Sequence, residues 1–483
     1  MKITKIKMPK RVEESLFNLF VENYDFYVLE NNKKIVLHKT KKTWCYIQKH
    51  LICSILRNMY FETQNQTLSN SSVNIVYELI SSVADNCQDI IMSVNGTEQT
   101  KNAIIYDIRG SDKYVEIKEN EIRMKSKKKS KIIFMNETHL KPIFPNINTS
   151  DSNYLEIIEL LFGKNKNNLM FAVYLALLFV RNINHPMLII TGEYGAAKTT
   201  FSRMVSRIVN PQCGDVSPMP KALDDVATVI FNNYYTAFDN LSYISRELAD
   251  LLCLATTGGN YQKRKLYTDD DVSSMYLHNA ISINGLNLSF PYSDLMDRAI
   301  VLELSRISAK ERLSEEEVWN RFYKCLPDLL GAIFKLLSKA MKKYKNVKLE
   351  NTPRLADFAI WGYAVAESIE IGLGKEFIQQ YECNTRNSLI SASESNPLLS
   401  AVSNLMTDKE IWEGTSTQLL RELETVYYKT TIATQLPHSF PTTANVLSRK
   451  LNILQNDLAV MGIRLTIGRE SKRYIRITKN QED

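Results

Sequence analysis

A short apolar run that ends in a loop of small residues is the feature that most restricts how this chain can fold. The run is Met187–Thr191, and it leads into Gly192–Thr200, GEYGAAKTT, which opens the helical pattern TTFSRMVSRIV. A strand, a small-residue loop and a helix in this order predict a phosphate-binding loop. Small residues let backbone N–H groups surround phosphate oxygens, and the helix N-terminus favours negative charge. A chance match to a degenerate pattern is the alternative.

The residues of this loop have separate predicted roles. We expect Lys198 to reach the β- and γ-phosphates of a nucleotide and the Thr199 hydroxyl to hold Mg²⁺. Ala197 stands where the pattern GxxxxGK[ST] has its second glycine. The residues predicted to bind the nucleotide are Gly192, Glu193, Tyr194, Gly195, Ala196, Ala197, Lys198, Thr199 and Thr200. ATP and Mg²⁺ are therefore the predicted cofactors.

Two further apolar runs end in polar residues. The first ends in Asp239 and Asn240, and Asp239 is predicted to hold Mg²⁺ through water, with a helix cap at a strand end as the alternative. Asn240 occupies the place where a glutamate usually polarises the attacking water. An amide can orient that water but cannot take its proton, so the hydrolytic base is not identified. The second run ends in Asn284, which could position the water or form a simple Asn-Gly turn.

Two arginines complete the predicted catalytic set. Arg298 precedes an apolar run and is predicted to approach the γ-phosphate bound by a neighbouring subunit, unless it only pairs with Asp297 on the surface. Arg354 follows Pro353 at a predicted helix start, and it is a second candidate for a phosphate contact. The predicted catalytic residues are Lys198, Asp239, Asn240, Asn284, Arg298 and Arg354.

The order of these motifs resembles an AAA+ ATPase core. The loop GEYGAAKTT, with alanine before the lysine, is similar to that of the minichromosome-maintenance helicases. The chain most resembles the AAA+ replicative helicases of phages and mobile genetic elements, including those of staphylococcal chromosome cassettes. The stretches that carry this resemblance, within residues 150–483, are GEYGAAKTT, AFDNLS, TTGGNYQKRKLYTDDDV, LMDRAIVL and TPRLADFA. Arg298 resembles an arginine finger of that family and Arg354 its second sensor.

The resemblance implies an α/β AAA+ P-loop ATPase core, hexameric rings and translocation on single-stranded DNA. It also implies that a hairpin formed by residues 258–272 projects into the central pore, with Lys263, Arg264 and Lys265 against the DNA backbone. The acidic turn Asp269–Asp271 is unexpected at a DNA-facing tip, and a solvated hairpin is the alternative. Little room exists between the first helix and Asp239 for the helical insertion of the minichromosome-maintenance proteins. That shortness favours the viral superfamily 3 helicases.

The last part of the chain, residues 406–483, is predicted to be a winged helix. A helix over Thr415–Tyr428 and an amphipathic helix over Ala444–Met461 precede a basic two-stranded ribbon. The second helix would enter a DNA groove and the ribbon would touch phosphates; a protein-contact module is the alternative. The predicted DNA contacts here are Arg449, Lys450, Arg469, Lys472 and Arg473.

Residues 1–150 are predicted to form an α+β domain that serves as a collar or a docking domain for DNA or a partner. Helical patterns cover 41–60 and 73–84, and short strand patterns follow residue 103. The lysines within 125–131 belong to a solvated hairpin tip or to a phosphate-contacting loop. The proline-containing stretch 142–151 is predicted to be a linker to an ATPase core with a helical lid over 151–405.

Composition excludes several classes of protein. The seven cysteines are scattered without a CxxC pair, which argues against a zinc ribbon or a redox motif and is typical of the cytoplasm. The longest apolar run, Leu169–Val180, is too short to span a bilayer. We expect it to be a buried core helix, and we expect no membrane among the partners. A net charge of +7 over 483 residues permits nucleic-acid binding without requiring it.

These patterns together predict an ATP-dependent DNA helicase that replicates a mobile element. It would translocate as a homo-hexamer on single-stranded and forked DNA, with a primase or an initiator protein as a further partner. The alternative, suggested by Asn240, is an ATP-switched DNA-binding initiator or loader with little hydrolysis. A primase fused to the helicase is disfavoured, because residues 1–150 show no paired acidic cluster with the spacing needed for phosphoryl transfer.

Overall fold

The computed structural model divides the chain into two compact units. The first contains residues 1–116 and 123–143, and the second contains residues 117–122 and 144–483. The residues that the structure describes are 12–29, 33–94, 96–130, 132–134, 141–210, 216–264, 272–285, 292–394, 396–431, 435–437, 440–469 and 473–479.

The first unit combines three helices with short strands. Its helices are α1 (Val12–Asn23), α2 (Lys49–Gln64) and α3 (Asn70–Asp85). Its strands are β1 (Tyr24–Leu29), β2 (Lys34–His38), β3 (Trp44–Tyr46), β4 (Ile90–Ile91), β5 (Ser93–Val94), β6 (Thr97–Gln99), β7 (Ile104–Asp107), β8 (Lys113–Lys118), β9 (Glu121–Ser126) and β10 (Ile133–Phe134), although the end of β8 and the start of β9 are counted with the second unit. The strands form sheets in the orders β3-β2-β1-β4, β10-β5 and β6-β7-β8-β9, and a 3-10 turn over Lys127–Lys129 follows β9.

Local sequence explains α3 better than the start of α2. Ser69 caps α3 by accepting a hydrogen bond from the Ser72 backbone, and apolar residues three or four positions apart face the core. The helix predicted over 41–60 begins only at Lys49, because residues 44–46 form β3 and pair with Ile35–Leu37 of β2. That start was wrong because pairing with a distant strand outweighs the helical pattern of Trp44–Tyr46.

The second unit contains most of the chain. Its helices are α4 (Tyr154–Phe162), α5 (Asn168–Leu177), α6 (Lys198–Val209), α7 (Leu223–Asn232), α8 (Arg246–Thr257), α9 (Ser293–Met296), α10 (Glu315–Lys343), α11 (Ala356–Ile369), α12 (Leu373–Glu394), α13 (Pro397–Met406), α14 (Ser416–Thr430), α15 (Ala444–Ile453) and α16 (Gln455–Val460). Its strands are β11 (Met187–Gly192), β12 (Ser217–Pro218), β13 (Tyr235–Leu241), β14 (Gly259–Arg264), β15 (Val272–Leu277), β16 (Ala280–Gly285), β17 (Ala299–Leu304), β18 (Ile411–Gly414), β19 (Ile463–Arg469) and β20 (Arg473–Lys479).

A five-stranded parallel sheet in the order β12-β13-β16-β11-β17 organises the second unit. Its central strands are buried on both faces, which explains why Met187–Ile190 is a continuous apolar run. All residues of α5 from Leu169 to Leu177 are buried, so the prediction of a core helix there is confirmed. Parallel strands place their carboxyl ends at one edge of the sheet, where ligands bind in folds of this kind. That edge carries the ends of β11, β13 and β16.

The stretch predicted as a linker, 142–151, contains residues that pack against a helix. The backbone N–H of Asn146 donates to the Pro327 carbonyl of α10 at 2.8 Å. A Cβ added to Gly331 would lie 2.0 Å from the Asn146 carbonyl oxygen, so this close approach requires glycine. From Phe144 onward this stretch is therefore part of the second unit.

One apolar core in the last part of the chain includes Leu398, Trp412, Leu447, Ile475 and Ile477. The sheet order is β18-β20-β19, with both pairs antiparallel. The predicted ribbon is thus extended by β18, which the sequence patterns missed. The helix predicted over 444–461 is two helices, because the backbone of Leu454 leaves the helical conformation between α15 and α16.

Candidate nucleotide-binding site

The loop between β11 and α6 has the backbone that its sequence predicts. Gly192 has φ 140°, and a Cβ there would lie 2.2 Å from the Leu304 carbonyl oxygen, so only glycine fits beside β17. Ala197 has φ 56° and ψ 30° at the N-cap of α6. A left-handed alanine costs about 1 kcal/mol relative to its ordinary conformations. The conformation explains why related patterns have glycine at this position.

Lys198 lies with its ammonium group inside the loop. Its Nζ donates to the carbonyl oxygens of Gly192 and Glu193, both at 2.8 Å. Partial burial lowers the pKa of Lys198, and the charge of Asp239 opposes this effect. Both acceptors are neutral carbonyl oxygens, so neither of these hydrogen bonds pairs the lysine with an opposite charge.

The structure brings Thr199 and Asp239 together from distant parts of the sequence. The Thr199 hydroxyl donates to the Asp239 carboxylate, with distances of 3.0 Å to Oδ1 and 3.3 Å to Oδ2. A hydroxyl and a carboxylate at one point suit Mg²⁺, which takes a few protein oxygens and completes its shell with water and substrate phosphates. Among the described residues, no group of three or more His, Cys, Asp or Glu side chains is arranged so that it could hold a metal ion.

Asn240 and Asn284 form a short network at the end of β13. The strand register shifts between Phe238 and Leu241, so that Asn240 leaves the ladder with φ 57°. The Asn240 backbone N–H donates to Asn284 Oδ1 at 3.1 Å, and Asn284 Nδ2 donates to Ser202 Oγ at 2.8 Å. Asn284 is only 2% exposed. The side chain predicted to position water thus connects the Asn240 backbone to α6.

Arg298 and Arg354 meet at one carboxylate. Arg298 Nη1 lies 2.6 Å from Asp294 Oδ1, and Arg354 contacts Asp294 at 3.1 Å and Asp297 at 2.7 Å. Burial raises the pKa of Asp294, but the hydrogen bond and charge of Arg298, with the charge of Arg354, bring it below its ordinary value. Arg298 pairs with Asp294, rather than with Asp297 as the surface-pair alternative proposed. The Arg298 side chain is 14% exposed and that of Arg354 is 41% exposed.

A cavity of about 720 Å³ adjoins the loop, and the motifs did not predict it. Its lining includes Gly192 and Glu193 of the loop, Val301 of β17 and Asn384 of α12. The Asn384 amide exchanges hydrogen bonds with the Val301 backbone, at 2.9 Å to its N and 2.8 Å to its O. No local signal marks α12, because its contribution depends on packing against the edge of the sheet.

The predicted hairpin exists as the antiparallel pair β14 and β15, from Gly259 opposite Leu277 to Arg264 opposite Val272. The Lys263 ammonium lies 3.6 Å from Asp224 of α7, and the Tyr261 hydroxyl donates to the same carboxylate at 2.7 Å. Lys263 is therefore partly neutralised. Lys265 and the acidic turn 269–271 lie outside the described residues.

The predicted DNA contacts near the C-terminus fall on α15 and on the β19–β20 ribbon. Arg449 is exposed and Lys450 is partly buried on α15. The backbones of Arg469 and Arg473 pair at the end of the ribbon. Lys472 lies outside the described residues.

Two family models match this chain. Residues 160–374 match the actinomycete integrative conjugative element replication protein, and residues 398–483 match the C-terminal domain of the same RepA proteins. This chain resembles a mobile-element replication protein. The first match contains the phosphate loop, the Thr199–Asp239 contact and both arginines, and the second contains the β18-β20-β19 sheet.

Solved structures align with this chain only at low similarity. An apo structure of the NrS-1 C-terminal region aligns over 96% of this chain and 99% of that one, with 12% identity and a TM-score of 0.42. A JCV helicase structure aligns over 50% of this chain and 64% of its own, with 12% identity and a TM-score of 0.26. These scores are too low to support an argument.

No curated protein matches the chain significantly. In the described part of the chain, no helix has the length and apolarity to cross a bilayer.

Proposed function

We propose that this chain is an ATP-dependent DNA helicase of the AAA+ class that replicates a mobile element. One observation carries the proposal: Lys198 lies inside a small-residue loop while Thr199 contacts Asp239 at 3.0 Å, at the carboxyl edge of a parallel sheet. This arrangement suits binding of a nucleoside triphosphate with a divalent cation. The similarity to replication proteins over 160–374 supports DNA as the substrate on which ATP energy is used.

Each residue of the candidate site has its own proposed role in binding ATP and Mg²⁺. Lys198 would contact the phosphates of ATP, while Thr199 and Asp239 would hold Mg²⁺, which would supply positive charge against the negative charge of the reacting phosphates. Asn284 acts as a positioning residue, because its amide fixes the backbone of Asn240. To contact phosphate, Arg298 and Arg354 would have to leave Asp294. We attribute this change of partner to assembly of a homo-hexameric ring.

The C-terminal part supports an interaction with DNA. Helices α14 and α15 with the β18-β20-β19 sheet suit a winged helix, in which α15 would enter a groove with Arg449 exposed. We propose single-stranded and forked DNA as substrates, a primase or initiator as a partner, and the cytoplasm as the location.

The Lys198→Ala variant of the full chain tests this proposal. We expect it to lose DNA-stimulated ATP hydrolysis and strand separation while the exposed control Lys375→Ala retains both. Particle size with ATP and single-stranded DNA, measured by light scattering, should increase to that of a ring. A wild-type protein that binds ATP normally but separates no strands would refute the helicase.

Asn240 favours a second candidate, an ATP-switched initiator with little hydrolysis. Its φ of 57° suits asparagine and aspartate better than glutamate. We therefore compare Asn240→Asp with Asn240→Glu in a steady-state ATPase assay. A switch should hydrolyse faster once a carboxylate is present, above all in the aspartate variant, whereas an efficient ATPase should change little. Footprinting of one defined DNA site would also favour the initiator.

A further inference from the structure

The first unit contains a cavity of about 770 Å³ that no motif explains. Strands β1, β2, β3, β4 and β10 and the 3-10 turn over Lys127–Lys129 contribute to its lining. Small-molecule and cofactor sites are typically about 300–1,000 Å³. The cavity is therefore large enough for a nucleotide.

Two turns bring lysines to this cavity. Lys41 and Lys42 lie in the turn between β2 and β3, and Lys127 and Lys128 lie in the 3-10 turn. Lys127 forms an ion pair with Asp107. The Lys127 side chain is 8% exposed and that of Asp107 is 0% exposed, so this lysine has a structural role. Lys41, Lys42 and Lys128 are exposed and form no ion pair within the described residues.

The charge of the lining is therefore positive where ligand can reach it. Asp112 is the acidic residue among the described lining residues, and it is exposed. The exposed side chains of the lining thus include three ammonium groups and one carboxylate. A surplus of this kind attracts phosphate, and the attraction weakens as salt increases.

The same cavity offers a fixed aromatic side chain. Trp44 lines it, and its Nε1 donates to the Phe134 carbonyl oxygen at 2.9 Å. The ring of Tyr46 packs edge-on against the indole, with centroids 5.3 Å apart. Trp44 is only partly buried, and Tyr27 and the 73% exposed Ile90 lie on the same lining. An aromatic side chain held in place is a surface on which a nucleobase can stack.

We propose that this cavity binds a nucleotide of single-stranded DNA, with its base against Trp44 and its neighbouring phosphates on Lys41, Lys42 and Lys128. Aromatic stacking combined with cationic contacts is how proteins hold single strands without reading their sequence. A free nucleotide shares this chemistry. Lysines on two separate turns suit the phosphates on both sides of a base, which favours a strand.

Binding of a fluorescent oligo-deoxythymidylate of about twelve nucleotides to the full chain, without ATP, tests the proposal. The variant is Lys41→Gln with Lys128→Gln. Its control, Lys101→Gln with Lys129→Gln, removes the same charge from exposed lysines outside the lining. We expect about a tenfold loss of affinity and a salt dependence shallower by about 1.4 in log–log slope for the variant. Equal losses in the two pairs, or no loss in either, would overturn the proposal.

Two further measurements separate the remaining outcomes. An oligonucleotide with 5-bromodeoxyuridine should crosslink under ultraviolet light to the peptide that contains Trp44, and crosslinks only outside the first unit would contradict the site. Free dTTP should displace the oligonucleotide weakly; displacement as strong as that by the unlabelled strand would make a free nucleotide the ligand and overturn the strand. ATP hydrolysis by the variant, measured alongside, tests the helicase proposal independently.

Discussion

The phosphate loop and the cavity of the first unit both contain lysines, but these lysines differ in their partners. Lys198 is held by two neutral carbonyl oxygens. Lys127 is paired with buried Asp107, while Lys41, Lys42 and Lys128 remain exposed. The loop comes from nine consecutive residues, whereas the cavity is assembled from five strands and three turns, at 41–43, 110–112 and 127–130. The role of a lysine therefore follows from its acceptor rather than from the local density of positive charge.

The largest effect should come from the buried pair in the first unit. Lys127→Met leaves the Asp107 carboxylate buried without its ammonium partner, which should cost about 3 kcal/mol of unfolding free energy. Hydrogen exchange of peptides from β7 and β8 measures this loss within the unit. The double variant Lys127→Met with Asp107→Leu should recover most of it. An unchanged exchange rate in Lys127→Met would contradict a stabilising role for the pair of Lys127 and Asp107.

The next effect should come from the contact of Thr199 with Asp239 beside the loop. Asp239→Asn removes the negative charge next to Thr199, so ATP hydrolysis should fall on the order of 100-fold and need more Mg²⁺. The measurement is a Mg²⁺ titration of the steady-state rate. The matched control is Asp225→Asn on α7. Oligonucleotide binding without ATP should stay at the wild-type level if the loop and the cavity are independent.

A smaller effect is expected at the asparagine network. Asn284→Ala leaves the Asn240 N–H without its acceptor, which should cost about 1–2 kcal/mol of stability. Because Asn284 acts through the Asn240 backbone, kcat should fall more than KM rises. Ser202→Ala, which removes only the hydroxyl, is the milder companion variant. Equal changes in kcat and KM would instead indicate a direct contact between Asn284 and the nucleotide.

The smallest effect is expected at Ala197. Ala197→Gly relieves the left-handed alanine but increases the freedom of the unfolded chain, so a net gain of about 0.5 kcal/mol is expected in chemical denaturation. Thr200→Gly, in the first turn of α6, should destabilise instead. A loss of stability in Ala197→Gly would show that the methyl group makes contacts that outweigh its strain.

Much of the candidate nucleotide site could be predicted from the sequence, because its signals are local. The apolar run, the small residues and the helix that follow one another at 187–209 predict β11, the loop and α6. The two later apolar runs predicted the polar residues near the ends of β13 and β16, which are Asp239 with Asn240 and Asn284. The contact between Thr199 and Asp239 follows from the common edge of a parallel sheet.

What the sequence could not predict depends on pairing between distant segments. Residues 44–46 became a strand because β2 lies beside them, and β18 exists because β20 offers it a partner. The shared use of Asp294 by Arg298 and Arg354 also required the packed structure.

The sequence by itself determined the phosphate loop and its lysine, since a short motif fixes backbone and charge within a few residues. The tertiary structure alone decided that Lys127 is neutralised while Lys41 and Lys128 are exposed at one cavity. The physical reason is that burial and ion pairing depend on which strands meet, and neither is encoded in the spacing of lysines along the chain.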